Sequence, residues 1–148
     1  MSDSAITVPA QRRGRLLDGH SRGGRPRPPM DDAMPAAGSL RSSVEDVLRF
    51  LAACCRPPEG PLGDALRLAQ QPHAQIGKHM QTGLCWLILD RPSRDRSSCT
   101  TAGRGVSQLR RVRPAAAAAV VVMTNTGRSV DHLGLRLLDE VAQPAAGS

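Results

Sequence analysis

Val120-Val121-Val122-Met123-Thr124-Asn125-Thr126, followed by Ser129-Val130-Asp131 and an apolar pattern over 133–141, is the stretch on which the fold turns. Three valines and a methionine in succession, with no polar alternation, describe a strand covered on both faces. Asn125 to Gly127 then make a tight turn. Beyond it Val130, Leu133, Leu137, Leu138 and Val141 recur at helical spacing behind Ser129, a candidate N-cap. A buried strand running straight into an amphipathic helix predicts a sheet with helices packed on it, an α/β fold of the α+β sandwich type.

Upstream, Gly83-Leu84-Cys85-Trp86-Leu87-Ile88-Leu89 is a second apolar run, bounded by Gly83 and Asp90-Arg91-Pro92. It predicts another strand buried on both faces, anchored by Trp86. Ser42 and Glu45 are spaced as a capping box at the head of a helix on which Val44, Val47, Leu48, Leu51 and Ala52 share one face. Pro57-Pro58 ends that helix. A shorter helix over 62–71 turns Leu62, Leu66 and Ala69 inward and stops at Pro72. Residues 91–118 break the pattern: up to 114 they are dominated by Arg, Ser, Thr and Gly without a period of 2 or 3.6, and they read as irregular. Residues 1–38 hold Arg12, Arg13, Arg15, Arg22, Arg25 and Arg27 among glycines and prolines, and read as a basic, mobile or peripheral arm ahead of an ordered region, 39–148.

Composition limits the core and the function classes together. Aromatic residues make up 1% of the 148, against 12 Pro and 14 Gly, so bulky material for packing is scarce and stability should be marginal. The formal charge of +7 would suit an anionic partner. Yet Lys78 is the single lysine, and Arg, Ala, Pro and Gly are all encoded by GC-rich codons, so base composition accounts for the charge as well as selection does. The longest apolar run, 115–123, is about half the roughly 20 residues a bilayer crossing requires. The N-terminus lacks an apolar signal region. These features predict a cytoplasmic protein without a membrane partner. Cys54, Cys55, Cys85 and Cys99 form no CxxC pair, and His20, His73, His79 and His132 are scattered, so neither a metal nor a cofactor is expected.

Gly19-His20-Ser21-Arg22-Gly23 matches the G-x-S-x-G nucleophile elbow, in which a strained turn between strand and helix exposes a serine to a histidine base. Only Leu16-Leu17 precede it as strand material, and Gly24, Pro26, Pro28 and Pro29 forbid the helix that should follow, so Ser21 reads as a coincidental match. The same arm could bind RNA through arginines, but no aromatic residue accompanies it, and Phe50 and Trp86 belong to core segments. A solvated arm is the simpler reading, with an Arg-rich nucleic-acid-binding or interaction protein as the alternative.

From residue 34 onward the chain resembles a known family. Residues 35–51, PAAGSLRSSVEDVLRFL, are similar to the "A-G-G-L-x-S-T-x-x-D-x-x-R-F" segment of the β-lactamase-related serine hydrolases, which include class C β-lactamases, D-alanyl-D-alanine carboxypeptidases and related esterases. Thr82-Gly83-Leu84-Cys85-Trp86 resembles their "G-L-G-W" strand with Cys85 in place of a glycine, and 120–125 resembles "V-V-V-L-T-N" before the last helix. Residues 20–26 sit where the family has a loose aromatic-x-x-x-G-x-P turn. The resemblance implies a partial β-lactamase/transpeptidase-like domain, with an antiparallel sheet and packed helices, a C-terminal fragment of such an enzyme. It also implies an open sheet edge that invites self-association.

The elements on which that family's chemistry depends are missing. Its nucleophile lies in S-x-x-K, one helical turn from a lysine that takes or relays the proton; here Gln75 stands three residues before Lys78, and the sequence contains no tyrosine for Y-x-N. Neither K-T-G nor H-x-G occurs between Trp86 and Val120. No catalytic residue is therefore assigned. Residues 99–107, CTTAGRGVS, can be encoded TGC-ACC-ACG-GCG-GGA-CGG-GGG-GTT-TCC, and regrouping from the third base yields H-H-G-G-T-G-G-F, the family's missing box in its expected place. On that reading residues 91–118 are translated one base out of frame, and Cys99, Thr100 and Ser107 carry no catalytic role. A genuine variable loop is the alternative.

Overall fold

The computed structural model describes residues 1–28, 39–91, 94–103, 107–113 and 117–142; between 90 and 116 it describes backbone only. Residues 35–38 of the family-like segment, 104–106, 114–116 and 143–148 lie outside the described residues.

Among the described residues a short 3₁₀ turn at Ala10–Arg15 is followed by β1 (Gly19–His20), β2 (Pro26–Arg27), α1 (Val44–Cys55), α2 (Pro61–Ala69), β3 (Ala74–Gly77), β4 (Met80–Thr82), β5 (Leu87–Arg91), β6 (Arg94–Gly103), β7 (Ser107–Arg113), β8 (Ala118–Thr124) and α3 (Asp131–Val141). Strands β3 to β8 form one antiparallel sheet in chain order, a meander. The strand at 118–124 is the centre of the packing because its two faces go to different helices. Ala119, Val121 and Met123 join Val47, Leu51, Cys54, Trp86 and Ile88 on the α1 side. Ala118, Val120 and Val122 join Leu138 and Leu137 of α3 on the other. Alternate side chains point to opposite faces, so the unbroken apolar run of the sequence is what a strand between two helices needs.

Several sequence expectations are corrected. The irregular reading of 91–118 gives way to two strands: Leu87 pairs with Cys99, and Cys99 with Arg111. Long-range backbone pairing across β5 and β8 organises a segment that has no amphipathic period of its own. The predicted strand over 83–89 begins only at Leu87; Gly83–Trp86 is a turn, with Leu84 and Cys85 exposed, while Trp86 and Ile88 are buried as expected. The cap of α1 lies one residue later than the capping box suggested: Ser43 Oγ accepts from the Asp46 N–H at 3.1 Å. Leu62 of α2 is 65% exposed, whereas Leu66 and Ala69 pack on the core. Ser129 is not the N-cap of α3, which is Val130, although its Oγ accepts from the Asp131 N–H.

The basic arm is also tied down over residues 1–28. Ala5 and Arg41 exchange backbone hydrogen bonds at 2.9 Å. The Asp3 N–H and the Ser4 hydroxyl both donate to Asp46 Oδ2, at 2.7 and 2.9 Å, and Arg12 and Arg15 pair with Asp3. Asp46 is almost wholly buried. Its desolvation would raise the carboxyl, but the hydrogen bonds from Ser4 and Asp3, the N-terminal charge and Arg49 outweigh it and hold the group below its ordinary value. The arginines are thus partly spent on a local acidic residue, a link invisible in a sequence window.

Candidate functional site

Three places could carry chemistry, and each is built by a different local geometry. The first is the hairpin of β1 and β2. Gly19 pairs with Arg27 and His20 with Pro26, and the turn between them is closed by the Ser21 N–H on the Arg25 carbonyl at 2.7 Å and by Ser21 Oγ accepting from the Arg25 N–H at 3.1 Å. A strand-turn-strand replaces the strand-turn-helix of a nucleophile elbow, so Ser21 lacks both the strained exposure and the helix N-terminus that such a serine needs. The hairpin is instead a clamp on the end of β8. His20 lies parallel to Thr126, its N–H donating to the Asn125 carbonyl and its carbonyl accepting from Gly127 N–H, at 2.7 and 2.8 Å.

The second is Lys78. It occupies the turn between β3 and β4, with His79, and Gln75 lies within β3. A helical turn, which would bring residues three apart onto one face, is absent there, so the Gln75 to Lys78 spacing is that of a strand and a turn.

The third is the backbone of 99–103. It forms the last half of β6, one strand after the chain leaves Trp86, with β7 paired along its length and β5 reaching only Cys99; Thr101 is opposite Leu109, and Gly103 opposite Ser107. Of the residues that regroup into a substrate-strand motif, 99–103 lie on β6 and Ser107 opens β7, while 104–106 lie outside the described residues.

Titratable groups elsewhere are structural or isolated. Cys54 is buried and its thiol is pushed up to about 11, by desolvation first and then by Cys55. Burial likewise raises Cys55, whose Sγ contacts the Ala118 carbonyl at 3.4 Å. Both are poor nucleophiles at neutral pH. Among the described residues, no group of three His, Cys, Asp or Glu side chains could hold a metal ion, and no helix is long and apolar enough to cross a membrane.

This strand meander with helices on both faces is the fold of the β-lactamase and D-alanine carboxypeptidase structures. In particular, a β-lactamase/D-alanine carboxypeptidase from Pseudomonas syringae matches 98% of this chain with a TM-score of 0.82 at 16% identity, the match covering 49% of that protein. A class C β-lactamase from Rhodobacter sphaeroides matches 94% with a TM-score of 0.76 at 16% identity, over 48% of its length. Another class C β-lactamase gives 98%, 0.80 and 16%, over 47%. The chain thus spans about half the length of these structures. No family model matches the sequence, and no curated protein matches it significantly.

Proposed function

We propose that this chain descends from an acyl-serine hydrolase acting on a β-lactam, peptide or ester, and is itself catalytically silent. The observation that carries the reading is the fold match over 98% of the chain to about half of a β-lactamase/carboxypeptidase structure, in a sequence with neither S-x-x-K nor any tyrosine. Nucleophile, proton relay and substrate strand act only when one folded unit brings them together; none has a counterpart among Ser21, Lys78 and 99–103. The frame-shifted origin of that segment is supported by its backbone, since 99–103 lie on the strand that follows β5, where a box erased by one displaced base would still leave a strand. A cytoplasmic location accompanies this reading.

The test has two arms. Purified protein should turn over neither a chromogenic β-lactam nor a short-chain p-nitrophenyl ester, and a fluorophosphonate should label no serine. Turnover, or labelling abolished by Ser21→Ala, would overturn catalytic silence. The bases encoding 99–107 should regroup into H-x-G-G-T-G-G-F, and the preceding DNA should encode S-x-x-K and Y-x-N in some frame. A Gly103 codon other than GGA would remove the threonine from the box and sink the frame-shift origin while leaving the fold assignment intact.

A further inference from the structure

Base composition accounts for the number of arginines in this chain, but not for which of them meet. Arg12 and Arg15 pair with Asp3, Arg49 with Glu45 and Asp46, and Arg67 with Asp64. Arg22, Arg25 and Arg27 on the hairpin of β1 and β2, together with Arg128, are exposed and have no carboxylate partner among the described residues. Backbone contacts gather them. Arg25 and Arg27 flank Pro26 and so share one face of the ribbon. The Gly127 N–H donates to the His20 carbonyl at 2.8 Å, and a Cβ added at Gly127 would stand 3.4 Å from the Arg22 nitrogen. Arg128 therefore leaves the chain beside Arg22, although the whole sheet lies between them in sequence. Like charges gathered without a counter-charge repel one another and are costly to bury, so this end of the molecule suits a polyanion.

We propose that Arg22, Arg25 and Arg27 of the hairpin, with Arg128, form a sequence-independent contact with the phosphate backbone of duplex DNA. Guanidinium groups match phosphate in charge and in hydrogen-bond geometry. A two-stranded ribbon enters the major groove of B-form DNA, whereas the narrow major groove of duplex RNA shuts it out. The tip is slender: Gly24 has a φ of 80°, and a Cβ added there would meet nothing within 4 Å.

Other polyanions fit the cluster less well. Single strands are held on aromatic platforms, and Phe50 and Trp86 are stacked on each other in the core. Surface binding to a bilayer inserts apolar side chains among the headgroups, and the tip Arg22-Gly23-Gly24-Arg25 has none. The hairpin is also held in place. His20 N–H donates to the Asn125 carbonyl at 2.7 Å, and Asn125 Nδ2 donates to the Asp18 carbonyl at 3.3 Å. The arginines therefore stand on a fixed element at the end of β8, where less ordering entropy opposes binding than on a loose arm.

Fluorescence anisotropy of the full chain with a labelled random-sequence DNA duplex should give a dissociation constant on the order of 10–100 µM at about 150 mM salt. Its log–log salt slope should be about −3 to −4, as four phosphate contacts require. Arg22→Gln combined with Arg128→Gln should flatten that slope by about 2. Arg13→Gln combined with Arg56→Gln removes the same charge from exposed sites outside the cluster and should leave the slope as it was. Equal flattening by both pairs would reduce the binding to net charge and overturn the proposal. Tighter binding of the single strand or of phosphatidylserine vesicles would do the same, as would no binding of the duplex at about 100 µM protein in about 50 mM salt. If the glutamine variants fail to fold, hydrogen exchange on the unmodified chain decides: saturating duplex should raise the protection of amides within 19–27 and 125–128, and protection gained elsewhere instead overturns the contact.

Discussion

Cys85 has a φ of 62°, in the left-handed region where a side chain crowds the backbone. It stands in the turn before Trp86, at the position where the resembling family has glycine, and the backbone explains that preference. Cys85→Gly should raise stability by about 1 kcal/mol, read as an increased midpoint in urea. Two residues earlier, a Cβ added at Gly83 would collide with the Ala69 carbonyl oxygen, because the Leu84 N–H docks on that same carbonyl at 2.9 Å. Gly83→Ala should cost about 1–3 kcal/mol by the same measurement. Thiol chemistry separates the cysteines as well: at pH 8 a disulfide reagent should modify exposed Cys85 at once and Cys54 only at the rate of unfolding. Equal rates for both would contradict the burial of Cys54.

At the scale of elements, α1 is held at its head by a network centred on Asp46. Ser43 caps it, and removing the cap with Ser43→Ala should destabilise by about 1 kcal/mol. Asp46 and Asp3 both have carboxyls lowered from 3.8, Asp3 chiefly through its hydrogen bond from Arg15. A depressed folded-state value stabilises the fold above the unfolded value, and the benefit disappears as pH falls through the folded one. Stability should therefore decline below about pH 4, and Asp46→Asn should flatten that decline in an acid titration followed by circular dichroism. An unchanged titration would remove Asp46 from the account. The Phe50 and Trp86 rings, stacked with centroids 6.3 Å apart, join α1 to the start of β5. They are the two aromatic residues of the whole sequence.

For the molecule as a whole, the core among the described residues is split between two small clusters on opposite faces of β8. Both clusters rest on the same strand, so Val120→Ala, which opens a cavity in the α3-side cluster, should cost about 1–3 kcal/mol, with both helices melting together. Separate melting of α1 and α3, resolved by hydrogen exchange, would argue against β8 as the shared support.

Local chemistry in the sequence determined the two principal helices, the apolar strand through Val120, the anchoring of Trp86 and the absence of a helix after Ser21. Each depends on periodicity, on proline or on an uninterrupted apolar run, signals contained within one turn or one strand. Tertiary structure decided what such windows cannot hold. Strands β6 and β7 form in a stretch with no period because ordered neighbours offer them backbone partners. The arm is fixed by an Asp46 some 43 residues away. Among the described residues Val44 and Leu48 on α1 and Leu133 and Val141 on α3 stay exposed, beyond the strand residues that bury the rest of each face. A helix face records how much surface a sequence can bury, while the number of strands beside it fixes how much this chain does bury.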